Sequence, residues 1–348
     1  MDLSFFNGKR VFITGHTGFK GSWMCKILKM ANASICGYSL SPLTHPSLFK
    51  EANIDHATQS VLGDIRDREH LKARVSEFQP DIIIHMAAQP LVRDSYDDPV
   101  YTYETNVMGT VNLLEAVRNS KSVKSVLNVT TDKVYLNREW AWGYRENEPL
   151  DGFDPYSNSK SCSELVTHSY KNSFFMDGRV AISTARSGNV LGGGDFSKDR
   201  IIPDCVRAAE RRDKIIVRNP HSTRPYQHVL EPLIAYLMIV QKQYEDRKCA
   251  DYYNVGPDEK DCITTGELAE LFCRSWGEGL SWQTEYEVGP HEANFLKLDC
   301  SKLKSTIKWK PRWSVSDAVE RTVEWTKVYF ANGDVSDMMD RQIVEYLG

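Results

Sequence analysis

The chain has 348 residues, which at about 150 residues per domain predicts two domains and a core that needs no disulfide or metal staple. Hydrophobic residues make up 41% and charged residues 26%, proportions that exclude a disordered or fibrous chain. Lys plus Arg (43) against Asp plus Glu (47) leaves a formal net charge of −4. No global basic field exists to attract nucleic acid or anionic lipid, so an anionic ligand must be held by a local site.

No apolar run reaches the roughly 18 residues of a transmembrane helix. The opening "MDLSFFNGKRVFITG" enters a strand-like segment without a signal peptide's apolar stretch. The eight cysteines, Cys25, Cys36, Cys162, Cys205, Cys249, Cys262, Cys273 and Cys300, are scattered, and none forms C-x-x-C. Reduced thiols in a cytoplasmic protein are expected, with neither a disulfide frame nor a zinc site.

Taken in order, "RVFITG" (10–15) predicts a strand and a helix follows it to about Ala31. Further strands are expected at 33–40, 57–65 and 81–88, with an amphipathic helix at 68–80 that stops at Pro80. The consecutive apolar residues of "DIIIHMAA" (81–88) suit a strand covered on both faces. A helix over 101–120, a strand over 123–131, a helix over 155–172 and a strand over 179–189 complete the first half. This alternation predicts an α/β fold, a Rossmann-type doubly wound parallel sheet. The second half reads as a smaller α/β substrate lobe, with helices near 201–212, 229–244, 264–275 and 315–331 and short strands at 214–219, 251–256 and 281–288. The Gly-rich stretch "GNVLGGGDF" (188–196) places the boundary, giving a dinucleotide-binding domain over 1–188 and a ligand lobe over 189–348 with some crossing of the chain between them.

Gly15, Gly18 and Gly21 stand in G-x-x-G-x-x-G spacing between the first strand and the first helix, together with Thr17 and Phe19. Gly15 would allow the tight turn, Gly18 the approach of a pyrophosphate and Gly21 close packing of helix on strand, with the helix N-terminus supplying donors. The second strand ends Gly37-Tyr38-Ser39-Leu40, without the acid that usually holds the adenosine ribose. Ser39 could bind the ribose instead, and with no Arg there to attract a 2′-phosphate, NAD is expected over NADP. Asp64 and Ile65 after the third strand and Ala87, Ala88 and Gln89 after the fourth lie where such sheets bind cofactor. Asp64 reads equally as the N-cap of the following helix.

Tyr156 and Lys160 fall at i, i+4 in a predicted helix and project from one face. A lysine beside the phenol would lower its pKa from about 10 towards neutrality and make Tyr156 a base for a sugar hydroxyl. Tyr244 with Lys248 has the same spacing in "QKQYEDRKC", a charged stretch that reads as solvated helix surface. The fifth strand ends in Thr130, Thr131, Asp132 and Lys133, polar groups that are costly to bury without partners or a function. Thr131 can complete a Thr/Tyr/Lys set, and Asp132 and Lys133 add an acid–base pair. A surface turn closed by a salt bridge is the other reading of that segment.

The segments "GHTGFKGSW", "TTDKVY", "YSNSK" and "RPYQHV" resemble the extended short-chain dehydrogenase/reductase superfamily over nearly the whole chain, and within it the nucleotide-sugar 4,6-dehydratases that act on CDP-D-glucose. Related epimerases lack an acid–base pair after the threonine, and dTDP-glucose 4,6-dehydratases carry Thr-Asp-Glu. UDP-N-acetylglucosamine 4,6-dehydratases share Thr-Asp-Lys, so the triplet does not fix the nucleobase. The resemblance implies NAD as cofactor and an intramolecular oxidation, dehydration and reduction giving a 4-keto-6-deoxy sugar for deoxysugar (O-antigen-type) biosynthesis. It implies Tyr156 as base at O4, Lys160 on the nicotinamide ribose, Lys133 as base at C5 and Asp132 as acid on the departing C6 hydroxyl. It also implies Asn189 and Arg224 at the substrate diphosphate, and a homodimer or higher homo-oligomer paired through two helices, one of them carrying Tyr156.

Arg200 is a further candidate for the diphosphate, since guanidinium suits phosphate geometry. Arg200 and Arg218 read equally as surface ion pairs. Ser95 could face the hexose, Tyr226, His228 and His291 could line the sugar or base, and Trp309 and Trp313 are expected in packing. A different nucleotide-sugar dehydratase, a 4-epimerase and a redox-sensing NAD-binding regulator remain the competing readings.

Overall fold

The computed structural model describes residues 1–285 and 294–348. Seven strands form one parallel sheet: β1 (Arg10–Thr14), β2 (Ser34–Ser39), β3 (Gln59–Leu62), β4 (Ile82–His85), β5 (Ser125–Val129), β6 (Ala181–Ser187) and the strand Tyr252–Val255. Their order is β3-β2-β1-β4-β5-β6 and then Tyr252–Val255, and every neighbouring pair is parallel. Every residue of β4 and β5 is buried, as a central strand with helices on both faces requires. The order reverses between β1 and β4, which puts a ligand crevice beyond their carboxyl ends.

One face of the sheet is covered by a core containing Trp23, Ile27, Leu233, Leu237 and Tyr346, and the other by one containing Phe12, Ile83, Leu113, Val117 and Ile182. A separate core around Ile215, Phe272 and Val319 holds the smaller lobe. That lobe is built on the helices Ile201–Arg211, Thr265–Trp276 and Val315–Phe330. Two pieces of the second half return to the large sheet: Tyr252–Val255 pairs with β6, and Ser125 Oγ on β5 donates 2.9 Å to the Val240 carbonyl in the helix Leu230–Glu245.

The helix expected over 101–120 is three pieces, Pro99–Tyr103, a π-helical turn at Glu104–Met108 and Gly109–Arg118. The third strand is shorter than the 57–65 expected, because Ile54–Ala57 forms a 3₁₀ turn before it. The strand expected over 281–288 covers Trp282–Thr284; positions 286–288 and His291 lie outside the described residues. Among the described residues, four α-helices lie outside the expected ones: the short Leu48–Glu51, Val92–Asp97 and Ser301–Thr306 and the longer Val335–Leu347. The last turns Val335, Met338, Met339, Ile343 and Tyr346 to the core, and Glu231 fastens it by accepting the Tyr346 hydroxyl at 2.6 Å. Glu231 also accepts the backbone N–H groups of Arg312 and Trp313.

All eight cysteines are free. Among the described residues, no His/Cys/Asp/Glu group could hold a metal ion, and no helix is long and apolar enough to cross a membrane.

Candidate active site

The turn after β1 is shaped by backbone crowding. Gly15 has φ +78°, and a Cβ there would meet the Ala87 nitrogen at 2.8 Å; a Cβ on Gly21 would lie 2.1 Å from the Gly15 carbonyl oxygen. Gly18 differs, since its nearest neighbour to a Cβ is Gly15 O at 3.5 Å, so the chain's own atoms leave that side open. Gly18 is also the N-cap of the helix Phe19–Met30, which has no side-chain cap and no acid in its first turn. Uncapped N–H donors over an open glycine fit a pyrophosphate. Gly21→Ala is expected to weaken dinucleotide binding at least tenfold (about 1.4 kcal/mol), because the Cβ must displace the turn's backbone; calorimetric titration measures it.

Several expected cofactor residues have their side chains committed within the protein. Thr17 Oγ1 lies 2.8 Å from Ser39 Oγ and donates to Leu40 O at 2.9 Å, which ties the turn to the end of β2. Gln89 donates to Leu91 O and Thr102 Oγ1, and its carbonyl oxygen accepts Leu91 N. Its side chain therefore shapes the loop instead of reaching a ligand. Asp64 is not the N-cap of the next helix; Asp67 is. The Arg66 guanidinium, 2.7 Å from Asp64, holds that carboxyl below its usual range. Ile65 is buried against Gly109, and Ala87 and Ala88 remain partly exposed beside the turn.

The helix Pro155–Phe174 begins where Asp154 accepts Ser157 N at 2.9 Å and Ser157 Oγ at 2.6 Å, with Pro155 in its first turn. Its buried face carries several small hydroxyl residues, including Ser157, Ser159, Ser161, Ser163 and Thr167, and Ser163 and Thr167 each accept the Asn128 amide of β5 at 2.9 Å. Ser95, expected at the hexose, is fully buried; its hydroxyl donates to Val92 O and accepts Tyr156 N at 3.1 Å. Ser95 thus holds the backbone of Tyr156.

Tyr156, Thr131, Asp132 and Lys133 line one cavity of about 400 Å³ beyond the sheet's carboxyl edge. Thr131 stands beside the Tyr156 phenol and draws its pKa down, and it donates to Asp132 Oδ1 at 3.1 Å. Contrary to expectation, Lys160 is not among the groups that draw the Tyr156 pKa down. Lys160 Nζ donates to Val129 O at 3.1 Å, and burial brings its own pKa down to about 8. Burial pushes Tyr156 up to about 12, against the pull of Thr131 and Arg200. Asp132 is buried with Oδ2 unpartnered, and burial raises its pKa despite the opposing fields of Lys133, Arg224 and Lys20. A buried carboxyl held towards its neutral form is suited to donate a proton.

The same cavity is lined by Asn189, Arg200 and Arg224. Arg200 pairs with the buried Asp195 at 3.1 Å, and Arg218 lies 2.9 Å from Asp199. Tyr226 lies 3.0 Å from Thr265 Oγ1 and lines the cavity. His228 is fully buried between the rings of Trp23 and Trp313, a packing position, and Trp309 lies in the core. The Tyr244 ring packs edge-on against Phe5, and Lys248 is exposed.

Three contributors escaped the sequence reading. Asn106, in the π-helical turn, accepts Gln89 N and donates to Gln89 O and Ser159 Oγ, so it locks the β4 loop to the Tyr156 helix. Asp195 orients Arg200. Lys20, between Phe19 and Gly21, faces the cavity; the glycine spacing around it signals the backbone turn and says nothing of the side chain.

The family model described as GDP-mannose 4,6 dehydratase matches residues 12–322. A CDP-glucose 4,6-dehydratase of Salmonella typhimurium is 48% identical, over 100% of this chain and 98% of its own length. A Stenotrophomonas maltophila UDP-glucose-4-epimerase, solved with NAD and formylated UDP-arabinopyranose, superposes with a TM-score of 0.82 at 20% identity, covering 93% of this chain and 100% of its own. A Thermus thermophilus UDP-glucose 4-epimerase in complex with NAD gives a TM-score of 0.79 at 23% identity over 91% of this chain and 99% of its own.

Proposed function

The chain belongs to the GDP-mannose 4,6-dehydratase family, and on that premise we propose that it converts CDP-D-glucose to CDP-4-keto-6-deoxy-D-glucose. It is an enzyme, a hydro-lyase that uses NAD. The observation that carries the reading is the buried, unpartnered Asp132 carboxyl beside Lys133 and Tyr156 in one cavity, an acid–base pair that a 4-epimerase does not need. CDP-glucose as substrate is supported by the 48% identical relative.

Gly15, Gly18, Gly21 and the open N-terminus of the Phe19–Met30 helix would hold the pyrophosphate, with Ala87 and Ala88 alongside and Lys160 at the nicotinamide ribose. When bound, NAD supplies the hydride acceptor for C4 and the later donor for C6. Tyr156, aligned by Thr131, takes the O4 proton. The ketone so formed acidifies C5–H, which Lys133 removes. Asp132 protonates the departing C6 hydroxyl, and water leaves. Asn189, Arg224 and Arg200 hold the diphosphate. In the assay, purified enzyme is incubated with CDP-, dTDP- and UDP-glucose while the alkali-induced absorbance of a 4-keto-6-deoxy product is followed. Product from CDP-glucose in preference to the others is the expected result, and formation of epimer alone would refute the assignment.

The product class suits deoxysugar synthesis for a lipopolysaccharide O-antigen, and eight free thiols suit a cytoplasmic enzyme. A homodimer is proposed through Val100, Met108 and Leu165, which are exposed apolar side chains on the Pro99–Arg118 segment and the Tyr156 helix. Leu165→Glu with Met108→Lys is expected to halve the particle mass by light scattering.

A further inference from the structure

We infer that Lys20 is the cationic partner of Asp132, neutralising the carboxylate left when Asp132 gives its proton to the C6 hydroxyl and returning a proton to it before the next turnover. The inference rests on the dehydration reading and adds a residue to it.

Lys20 is the second residue of the Phe19–Met30 helix and lines the cavity shared by Asp132, Lys133 and Tyr156. The phosphate turn itself needs space and N–H donors at this point, not an amine. Among the described residues, Lys20 Nζ has no hydrogen-bond or ion-pair partner, and it lies 6.0 Å from the Tyr236 ring centroid. The charged groups acting on it are Arg200, Lys160, Asp132 and Asp195. Asp195 is already engaged by Arg200 at 3.1 Å. Asp132, with Oδ2 buried and unpartnered, is the carboxyl left for Lys20; the fields of Lys133, Arg224 and Lys20 all oppose its upward shift, and of these Lys133 is taken up as the C5 base and Arg224 by the diphosphate, which leaves Lys20. Burial, with Arg200 and Lys160 adding to it, brings the Lys20 amine down to about 7, so it can hold or release a proton near neutrality.

The base takes the C5 proton, its electrons form the C5–C6 double bond, and the C6–O bond breaks with its electron pair on oxygen. The Asp132 proton completes the departing water. The resulting carboxylate faces the Lys20 ammonium, which passes it a proton and is recharged from solvent. Lys20 is a positioning residue acting through Asp132.

The test uses the NAD-loaded enzyme with Lys20→Met and Lys20→Arg. In single turnovers with CDP-glucose, Lys20→Met is expected to oxidise C4 at the wild-type rate but to accumulate reduced nicotinamide, seen by its near-ultraviolet absorbance. Product should form roughly tenfold more slowly, below the ~10²–10⁴-fold loss of removing a general acid outright. Lys20→Arg should restore the single-turnover elimination, because its positive charge persists, but should slow repeated turnover, because a guanidinium does not give up its proton to Asp132. NAD affinity by calorimetry should stay within about twofold, a shift of under 0.5 kcal/mol. Wild-type levels of reduced cofactor and an unshifted pH profile in Lys20→Met would overturn the inference, as would a loss confined to NAD affinity. If the wild-type enzyme itself makes no 4-keto-6-deoxy sugar, the dehydration reading falls and the inference with it.

Discussion

Tyr156→Phe is expected to lower kcat by about 10²–10⁴-fold, the usual worth of a positioned general base, with substrate affinity nearly unchanged. The helix cap at Asp154 and the Ser95 hydroxyl on Tyr156 N fix the backbone whether the side chain is Tyr or Phe. The Thr131 hydroxyl keeps its bond to Asp132 Oδ1, so the fold should hold. The phenol is what is lost. In the chain's own field it stands at about 12, raised chiefly by burial, and so is protonated at neutral pH. Base catalysis therefore requires positive charge brought into the cavity with the ligands. Activity present at high pH should be lost as pH falls through the phenol's pKa in the complex. Tyrosinate absorbance titration of the cofactor-free enzyme should show no Tyr156 ionisation near neutrality; ionisation there would contradict the burial argument.

Asp132→Asn should reduce product formation by about 10²-fold or more while C4 oxidation persists, so reduced nicotinamide accumulates in stopped-flow absorbance. Stability should move the other way. Burial raises the Asp132 pKa above its unfolded value, so the folded chain keeps a proton that the unfolded chain releases above about pH 3.9. Above that pH the residue destabilises the fold progressively until its folded pKa is passed. Asparagine carries no such charge and should raise Tm at neutral pH, as read by calorimetry. The activity limb belonging to Asp132 has the same direction: the acid form is needed, so activity is lost as pH rises through its folded pKa.

The sheet was legible because short β-branched runs alternate with longer helical patterns through the first half, and because β4 is apolar on consecutive positions, as a strand covered on both faces should be. The turn was legible because Gly15 and Gly21 sit where any Cβ strikes backbone. What sequence could not show is where a polar group points. Gln89 in the loop after β4 and Ser95 in the helix Val92–Asp97 both follow a strand end where ligands bind, yet both turn inward and bond the chain. Asp64 and Asp67 are both acids ahead of one helix, and only the backbone shows which one caps it. Lys160 has the spacing to face Tyr156, but the Val129 carbonyl holds its amine. The helix Val335–Leu347 did carry a readable period in Val335, Met338, Met339, Ile343 and Tyr346, behind an N-cap at Asp334.

The strand Tyr252–Val255, drawn from the second half onto β6, means that residues 1–188 do not complete the large sheet by themselves. Made alone, that fragment would leave β6 as an open edge, a ready template for intermolecular pairing. During synthesis the edge stays bare until the chain has grown past Val255, so the nascent protein passes through an aggregation-prone interval. Engineering that exchanges the ligand lobe between relatives must therefore carry this returning strand with the recipient's sheet.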